Sequence, residues 1–325
     1  MTGRRLPTFL AAGLAAILIA GCGGAIVLPA SSSPVASPSQ STGQSAGQSA
    51  NQSGAPGGSS TGLPDFAHVY VLIFENKESG SVVGSKNAPY LNGLIATYGL
   101  ATDFTGESHP SQPNYIAFFS GSTQGVTDDG SHDLSGTNLA DQLESKGKTW
   151  GVFEQDYPGG CFTGSTRAGS GEGIGVAGSY ARKHNPAISF TDIASNPSRC
   201  ARITDLAHFD PAAADFELIV PNDCNDMHSC SVATGDAFLK DFVPRITGSP
   251  AFANSVLFIT FDEGTTDIGG GGRIATVVVS PLTKAGLTST SPYNHYSMLR
   301  TIEDAWGLEC LGQACSASSM REFFK

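Results

Sequence analysis

Basic side chains are scarce in this sequence. Its 325 residues carry 18 Lys and Arg against 29 Asp and Glu, a net charge of −11. That balance excludes a nucleic-acid scaffold, which needs a positive surface. It does not exclude an anionic substrate, because a bound cation can supply local positive charge. A long apolar run is also missing. A helix needs roughly 20 apolar residues to span a bilayer comfortably, and the stretch from Phe9 to Ala20 stops short of that. Charge vanishes altogether between residues 23 and 62, where Ser, Gly, Ala, Gln and Pro dominate. Such a segment buries too little apolar area to offset its ordering entropy, which excludes a folded unit there. There is no internal repeat.

What is present begins with an export signature. Arg4 and Arg5 precede the apolar stretch, and Leu18-Ile19-Ala20-Gly21-Cys22 has the form of a bacterial lipobox. The pattern predicts a lipoprotein signal peptide over 1–21 and lipidation of Cys22. Residues 22–62 then form a flexible tether with a reach of roughly 35 Å, and residues 63–325 form the folded domain. This predicts an extracytoplasmic protein held at the membrane by a lipid anchor. Without the signal peptide the balance is 16 basic against 29 acidic residues. Six cysteines remain: Cys161, Cys200, Cys224, Cys230, Cys310 and Cys315. An even count in an exported chain reads as disulfides. Near neighbours suggest Cys224–Cys230 and Cys310–Cys315, leaving Cys161–Cys200. The spacings fit no standard zinc knuckle.

Continuous apolar runs at His68–Phe74, Thr149–Phe153, Phe216–Val220, Ser255–Phe261 and Ile274–Ser280 suit strands buried on both faces. Helical stretches alternate with them: Ala88–Tyr98, Leu139–Lys146, Gly235–Ile246 and Met298–Trp306. Gly99, Gly147 and Gly307 follow three of these as stop signals. The alternation predicts an α/β fold, a doubly wound, mostly parallel sheet flanked by helices.

Several strands run into carboxylates or amides: Glu75-Asn76, Asn222-Asp223 and Asp262-Glu263. Ligands of open α/β sheets bind at the carboxyl ends of strands. Carboxylates gathered there repel one another and favour a cation. Glu75, Asn76, Asp262 and Glu263 are hard oxygen donors suited to a divalent metal. Asp226 and His228 lie in a short loop between Cys224 and Cys230, and His295 stands just before a helix. The run Tyr180-Ala-Arg-Lys-His184 is basic in an acidic chain and could meet a phosphate. Two pattern matches carry nothing. Gly43-Gln-Ser-Ala-Gly47 lies in the tether with no strand before it. No strand precedes the glycine pattern Gly173-Ile-Gly-Val-Ala-Gly178.

Taken together, Glu75-Asn76, His109-Pro-Ser-Gln-Pro-Asn-Tyr115, Tyr180–His184, Pro221–His228 and Phe261-Asp-Glu-Gly264 resemble the bacterial phosphoesterase family. That family includes acid phosphatases and phospholipase C-type enzymes and belongs to the alkaline-phosphatase-like superfamily. Within it the likeness leans to secreted mycobacterial-type acid phosphatases acting on phosphatidylinositol 3-phosphate. The resemblance covers nearly all of the chain after residue 63. It implies that Ser111, before Pro113-Asn114 at a helix start, is the nucleophile of a phosphoserine mechanism. A helix N-terminus also offers N–H groups to a phosphate. Asn114 would then donate to a phosphoryl oxygen, and His184 with Lys183 would stabilise charge there. Glu75, Asn76, Ser111, Asp262 and Glu263 would hold a divalent metal, with Asp226, His228 and His295 as a second metal site or substrate ligands. Superfamily members use Asp and Asp-His where this chain has Glu75 and Asp262-Glu263, so the metal set here is all oxygen. The expected function is a phosphomonoesterase, its partner a phosphate ester such as a phospholipid. The alternatives are a phospholipase C-type phosphodiesterase and a solute-binding lipoprotein without chemistry.

Overall fold

The computed structural model describes residues 62–168 and 178–325. The expected signal peptide, Cys22, nearly all of the expected tether, Gly43–Gly47 and most of the Gly173–Gly178 pattern lie outside the described residues.

The described residues form eleven strands: β1 (Val69–Phe74), β2 (Gly99–Thr105), β3 (Trp150–Glu154), β4 (Thr166–Ala168), β5 (Ser179–Ala181), β6 (Ile203–Asp205), β7 (Phe216–Val220), β8 (Val256–Phe261), β9 (Arg273–Val279), β10 (Leu287–Ser289) and β11 (Tyr293–Asn294). Nine of them make one sheet in the order β10-β2-β9-β8-β1-β7-β3-β6, with β11 added beside β2. From β8 through β6 all pairs are parallel, and β9 is antiparallel to both β8 and β2. The sheet is therefore mixed but mostly parallel. Strands β4 and β5 form a separate antiparallel ribbon.

The apolar runs explain the centre. Every residue of β1, β7 and β8 is buried, so each strand is covered on both faces. The helices Pro89–Thr97, Ser111–Ser120, Leu139–Ser145, Val232–Thr247 and His295–Trp306 supply most of the longer helical cover. Because β8, β1 and β7 are parallel neighbours, Asp262-Glu263, Glu75-Asn76 and Asn222-Asp223 leave the sheet at the same end.

Strand β2 was not expected, because Gly-Leu-Ala-Thr-Asp-Phe-Thr lacks a continuous apolar run. It is recruited by pairing with β9 and β10. Gly99, expected as a helix stop, is its first residue. A Cβ there would lie 2.7 Å from the Phe323 ring, so close packing is what requires glycine. Gly307, by contrast, is a left-handed helix cap with φ 59°. The three expected disulfides, Cys161–Cys200, Cys224–Cys230 and Cys310–Cys315, are formed. Among the described residues no helix is long and apolar enough to cross a membrane.

Candidate active site

Ser111 opens the Ser111–Ser120 helix, whose residues are all buried. Its Oγ donates to Glu75 Oε2 at 3.0 Å and lies 3.3 Å from Glu263 Oε1. Asn76 follows Glu75 with φ 53°, a left-handed turn that Asn tolerates. The turn aims its backbone N–H at Asp262 Oδ1 (3.0 Å) and its amide at Glu75 Oε2 (2.5 Å) and Ser111 Oγ (3.3 Å). Glu75, Asn76, Ser111, Asp262 and Glu263 are thus brought together.

The tightest grouping of ionisable donors is nevertheless a different one. Glu75, His184 and Asp226 each bring a ligand atom, and these atoms lie within 4.8 Å of one another. His184 Nε2 is 3.2 Å from Glu75 Oε1, and its Nδ1 is 3.7 Å from Asp226 Oδ2. The Asp226 backbone carbonyl accepts from Glu75 N at 2.9 Å, tying the Cys224–Cys230 loop to the end of β1. The expected all-oxygen set therefore gains an imidazole.

Electrostatics follows from burial. The Glu75 carboxyl is pushed well above the usual range by desolvation and then by Asp262 and Asp226. Asp226 is likewise well raised by burial, with Asp223 and Asp262 adding to it. Asp262 is raised by burial against the opposing Asn76 N–H bond. Glu263 is pushed up to about 7 by burial and the neighbouring Asp262. Burial, then Lys183 and His228, holds His184 well below its ordinary value, so its imidazole is neutral. Lys183 is the cation whose charge acts on Glu75. Burial opposes its charge, but Glu75 and Asp129 outweigh that and raise it.

Three buried atoms at this centre make no aligned hydrogen bond: Asp226 Oδ2, Asp262 Oδ2 and His184 Nε2, the last despite its 3.2 Å approach to Glu75 Oε1. Leaving such atoms unsatisfied costs about 1–3 kcal/mol each. Carboxylate oxygens and a neutral imidazole nitrogen without donors are what a divalent cation takes as ligands. The residues present therefore fit the metal that the motif implies.

Two expected residues are placed otherwise. His295 is buried with both ring nitrogens engaged: Nδ1 on Glu107 Oε2 (2.5 Å) and Nε2 on the Phe261 carbonyl (2.9 Å). Both partners are acceptors, so the ring is doubly protonated and has no lone pair for a metal. Asn114 does not face the centre as a free donor. Its amide nitrogen donates to the carbonyls of Ser108, Pro110 and Ser111, and its Oδ1 accepts from Glu107 N and Ser108 N. It shapes the turn that presents Ser111. His228 is exposed at the rim, its ring 6.4 Å from that of His184.

Other residues here had no role in the sequence reading. Tyr115 OH donates to Glu75 Oε1 at 2.5 Å, and its ring stacks on His184 at 5.3 Å. Its position four residues after Ser111 was the available signal, since such residues share a helix face. His109 Nδ1 lies 2.6 Å from Glu263 Oε2, and its Nε2 is 3.0 Å from the Thr266 carbonyl. Nothing in the sequence marks Glu107.

A profile of the Phosphoesterase family matches residues 73–309. Over 270 residues the chain is 32% identical to the phosphatidylinositol-3-phosphatase of Mycobacterium tuberculosis, covering 82% of this chain and 86% of that one. Over 260 residues it is 27% identical to a probable acid phosphatase of Kluyveromyces lactis. That match covers 76% of this chain but only 60% of the fungal protein. The fold is similar to the crystal structure of a protein in the alkaline phosphatase superfamily from Vibrio parahaemolyticus. The TM-score is 0.50 at 10% identity, over 83% of this chain and 76% of that one. At that identity the likeness is one of fold.

Proposed function

The chain belongs to the Phosphoesterase family, and so to the enzymes that hydrolyse phosphoric esters; from that premise we propose that it is an exported, divalent-metal-dependent phosphomonoesterase with Ser111 as its nucleophile. The observation that carries this reading is the buried Ser111 hydroxyl between Glu75 Oε2 at 3.0 Å and Glu263 Oε1 at 3.3 Å.

A serine hydroxyl attacks poorly unless its proton is drawn away. Glu263, poised near about 7, is placed to accept that proton as Oγ bonds to phosphorus. The ester oxygen departs and takes the proton back, which leaves the phosphoryl group on Ser111. Water then attacks the phosphoserine, releases phosphate and restores the hydroxyl. Glu75, His184 and Asp226, with Asp262 beside them, would hold the cation. When bound, the cation neutralises charge on the phosphoryl oxygens and favours the serine alkoxide. Lys183 adds positive charge at the mouth, and Asn114 fixes the turn before Ser111. Lipid phosphomonoesters are the substrate class we favour. The relative named phosphatidylinositol-3-phosphatase supports it, as does the lipobox pattern ending in Cys22, which would hold the domain near a membrane.

The test is to trap the intermediate. A phosphomonoester is mixed briefly with the chain, quenched in acid and digested. Peptide mass analysis should find phosphate on the peptide holding Ser111, and a matched phosphodiester should give none. Turnover without any phosphopeptide, or phosphate on another residue, would remove Ser111 from the role.

A further inference from the structure

Lys183 stands on the wall of a cavity of about 320 Å³ that opens beside the centre and is also lined by Asp129, Asp223 and His228. Its Nζ bonds Asp129 Oδ2 at 3.0 Å, while Asp129 Oδ1 accepts from the backbone N–H of Gln112 at 3.0 Å. One carboxylate therefore ties the ammonium to the residue that follows Ser111. Lys183 directly precedes His184, whose Nε2 is 3.2 Å from Glu75. A flexible lysine at that spot has two kinds of carboxylate within its field: Asp129 at the rim, and the Glu75 and Asp262 pair in the buried centre.

An ammonium and a divalent cation compete for the same buried carboxylates. Were Lys183 free, desolvated Glu75 would attract it more strongly than an exposed partner, because charges interact more strongly where the effective dielectric is low. We infer that Asp129 is a positioning residue that parks the Lys183 ammonium on the cavity wall, off Glu75 and Asp262, and so keeps the buried centre open to a divalent cation. The same placement leaves the ammonium at the cavity mouth, where an anionic group would enter. The inference rests on the metal-dependent reading above.

The experiment measures metal affinity directly. The full chain is stripped with a chelator and titrated with manganese chloride by calorimetry. It is compared with Asp129→Asn, Lys183→Ala and the double variant. Asparagine keeps an acceptor for the Gln112 N–H but loses the charge that holds Lys183. Manganese affinity should fall about tenfold in Asp129→Asn, the usual scale for losing a group that positions a metal site. It should return to the wild-type value in the double variant, because the competing ammonium is gone. A structural role for Asp129 would leave the double variant as weak as the single one, and that result overturns the inference. So does equal affinity of wild type and Asp129→Asn while the wild type binds manganese and turns over substrate. A wild-type chain that binds no divalent cation at all would overturn the metal-dependent reading along with it.

Discussion

Glu107 and His295 form a buried pair in which the contacts are matched. Both imidazole nitrogens face acceptors, and Glu107 also accepts from His295 N at 2.9 Å. The pair lies against Phe261, the residue just before Asp262. The neighbouring group of Glu75, His184, Asp226 and Asp262 is as deeply buried, yet it leaves three polar atoms without an aligned hydrogen bond and gathers carboxylates whose charge Lys183 only partly offsets. Buried polar groups in folded proteins are normally satisfied. One cluster follows that rule and holds the chain together. The other breaks it, and it breaks it with the donor types that hold a cation. The contrast separates the histidines: His295 is a structural cation, and His184 is a neutral ring with a lone pair to give.

The largest effects should come from the unsatisfied cluster and fall on activity. Ser111→Ala should lower turnover by about a thousandfold or more, since direct attack by water must replace the covalent route. Its melting temperature should hardly move, because the helix entry is shaped by Pro110 and Asn114. Glu75→Gln should lose bound metal and turnover together, and above the pH at which the buried Glu75 carboxyl ionises the metal-free variant should melt higher than the metal-free wild type. Removing a repelled, desolvated charge helps the fold as it ruins the site. If Glu75→Gln instead melts lower without metal, the two clusters are not opposites.

The satisfied cluster should show the reverse pattern. His295→Gln removes one member of a buried pair and leaves Glu107 uncompensated, a cost of about 3–5 kcal/mol. Chemical denaturation of the metal-free chain measures it. Manganese affinity of the folded variant, read by calorimetry well below its melting point, should stay at the wild-type value, because His295 donates nothing to the centre. A variant that keeps its stability but loses metal would return His295 to the ligand set.

Legibility in the sequence followed the same division. Apolar runs marked β1, β3, β7, β8 and β9 to within a residue or so, because strands buried on both faces carry no alternation to misread. Polar residues straight after β1 and β8 marked the centre, since a parallel sheet sends successive strand ends to one edge. The partners were harder to see. Strand β2 depends on its neighbours rather than on its own residues. Glu107 and His295 meet across 188 positions. Asn114 looked like a phosphate donor by motif, and only the fold shows its amide turned onto the carbonyls around it. His184 looked like a charge stabiliser because it follows Arg182 and Lys183. Burial makes it neutral, and a local sequence window does not report burial.

The smallest expected effect is a slope, and it tests the comparison without a mutation. Glu75, Asp226, Asp262 and Glu263 all hold their protons to higher pH in the folded chain than in the unfolded one. Above the ordinary carboxyl range, about 4, the folded state therefore binds more protons, and stability falls as pH rises. For Glu263 that fall is complete by about 7. His295 adds a slope of the same sign in a later window. Burial opposes its charge, but Glu107 raises it above 6.5. Its contribution is thus fully present below that value and is lost as pH climbs through the raised one. A bound cation takes the place of the protons on Glu75, Asp226 and Asp262 and cancels their part of the first slope, leaving the second. His184, held low by burial, adds a slope of opposite sign to both chains, so the metal-stripped chain should lose stability relative to the manganese-loaded chain from pH 5 to pH 8. The manganese-loaded chain should decline less over that range, keeping the slopes of His295 and of the raised carboxyls of Glu154, Glu217 and Glu303, which are not ligands. The gap between the two curves should widen across the acid limb, and calorimetric melts at half-unit steps of pH would trace it. A gap between the two curves that narrows between pH 5 and pH 7 would mean that the carboxyls at the ends of β1 and β8 are satisfied without a cation, and the distinction between the two clusters would be gone.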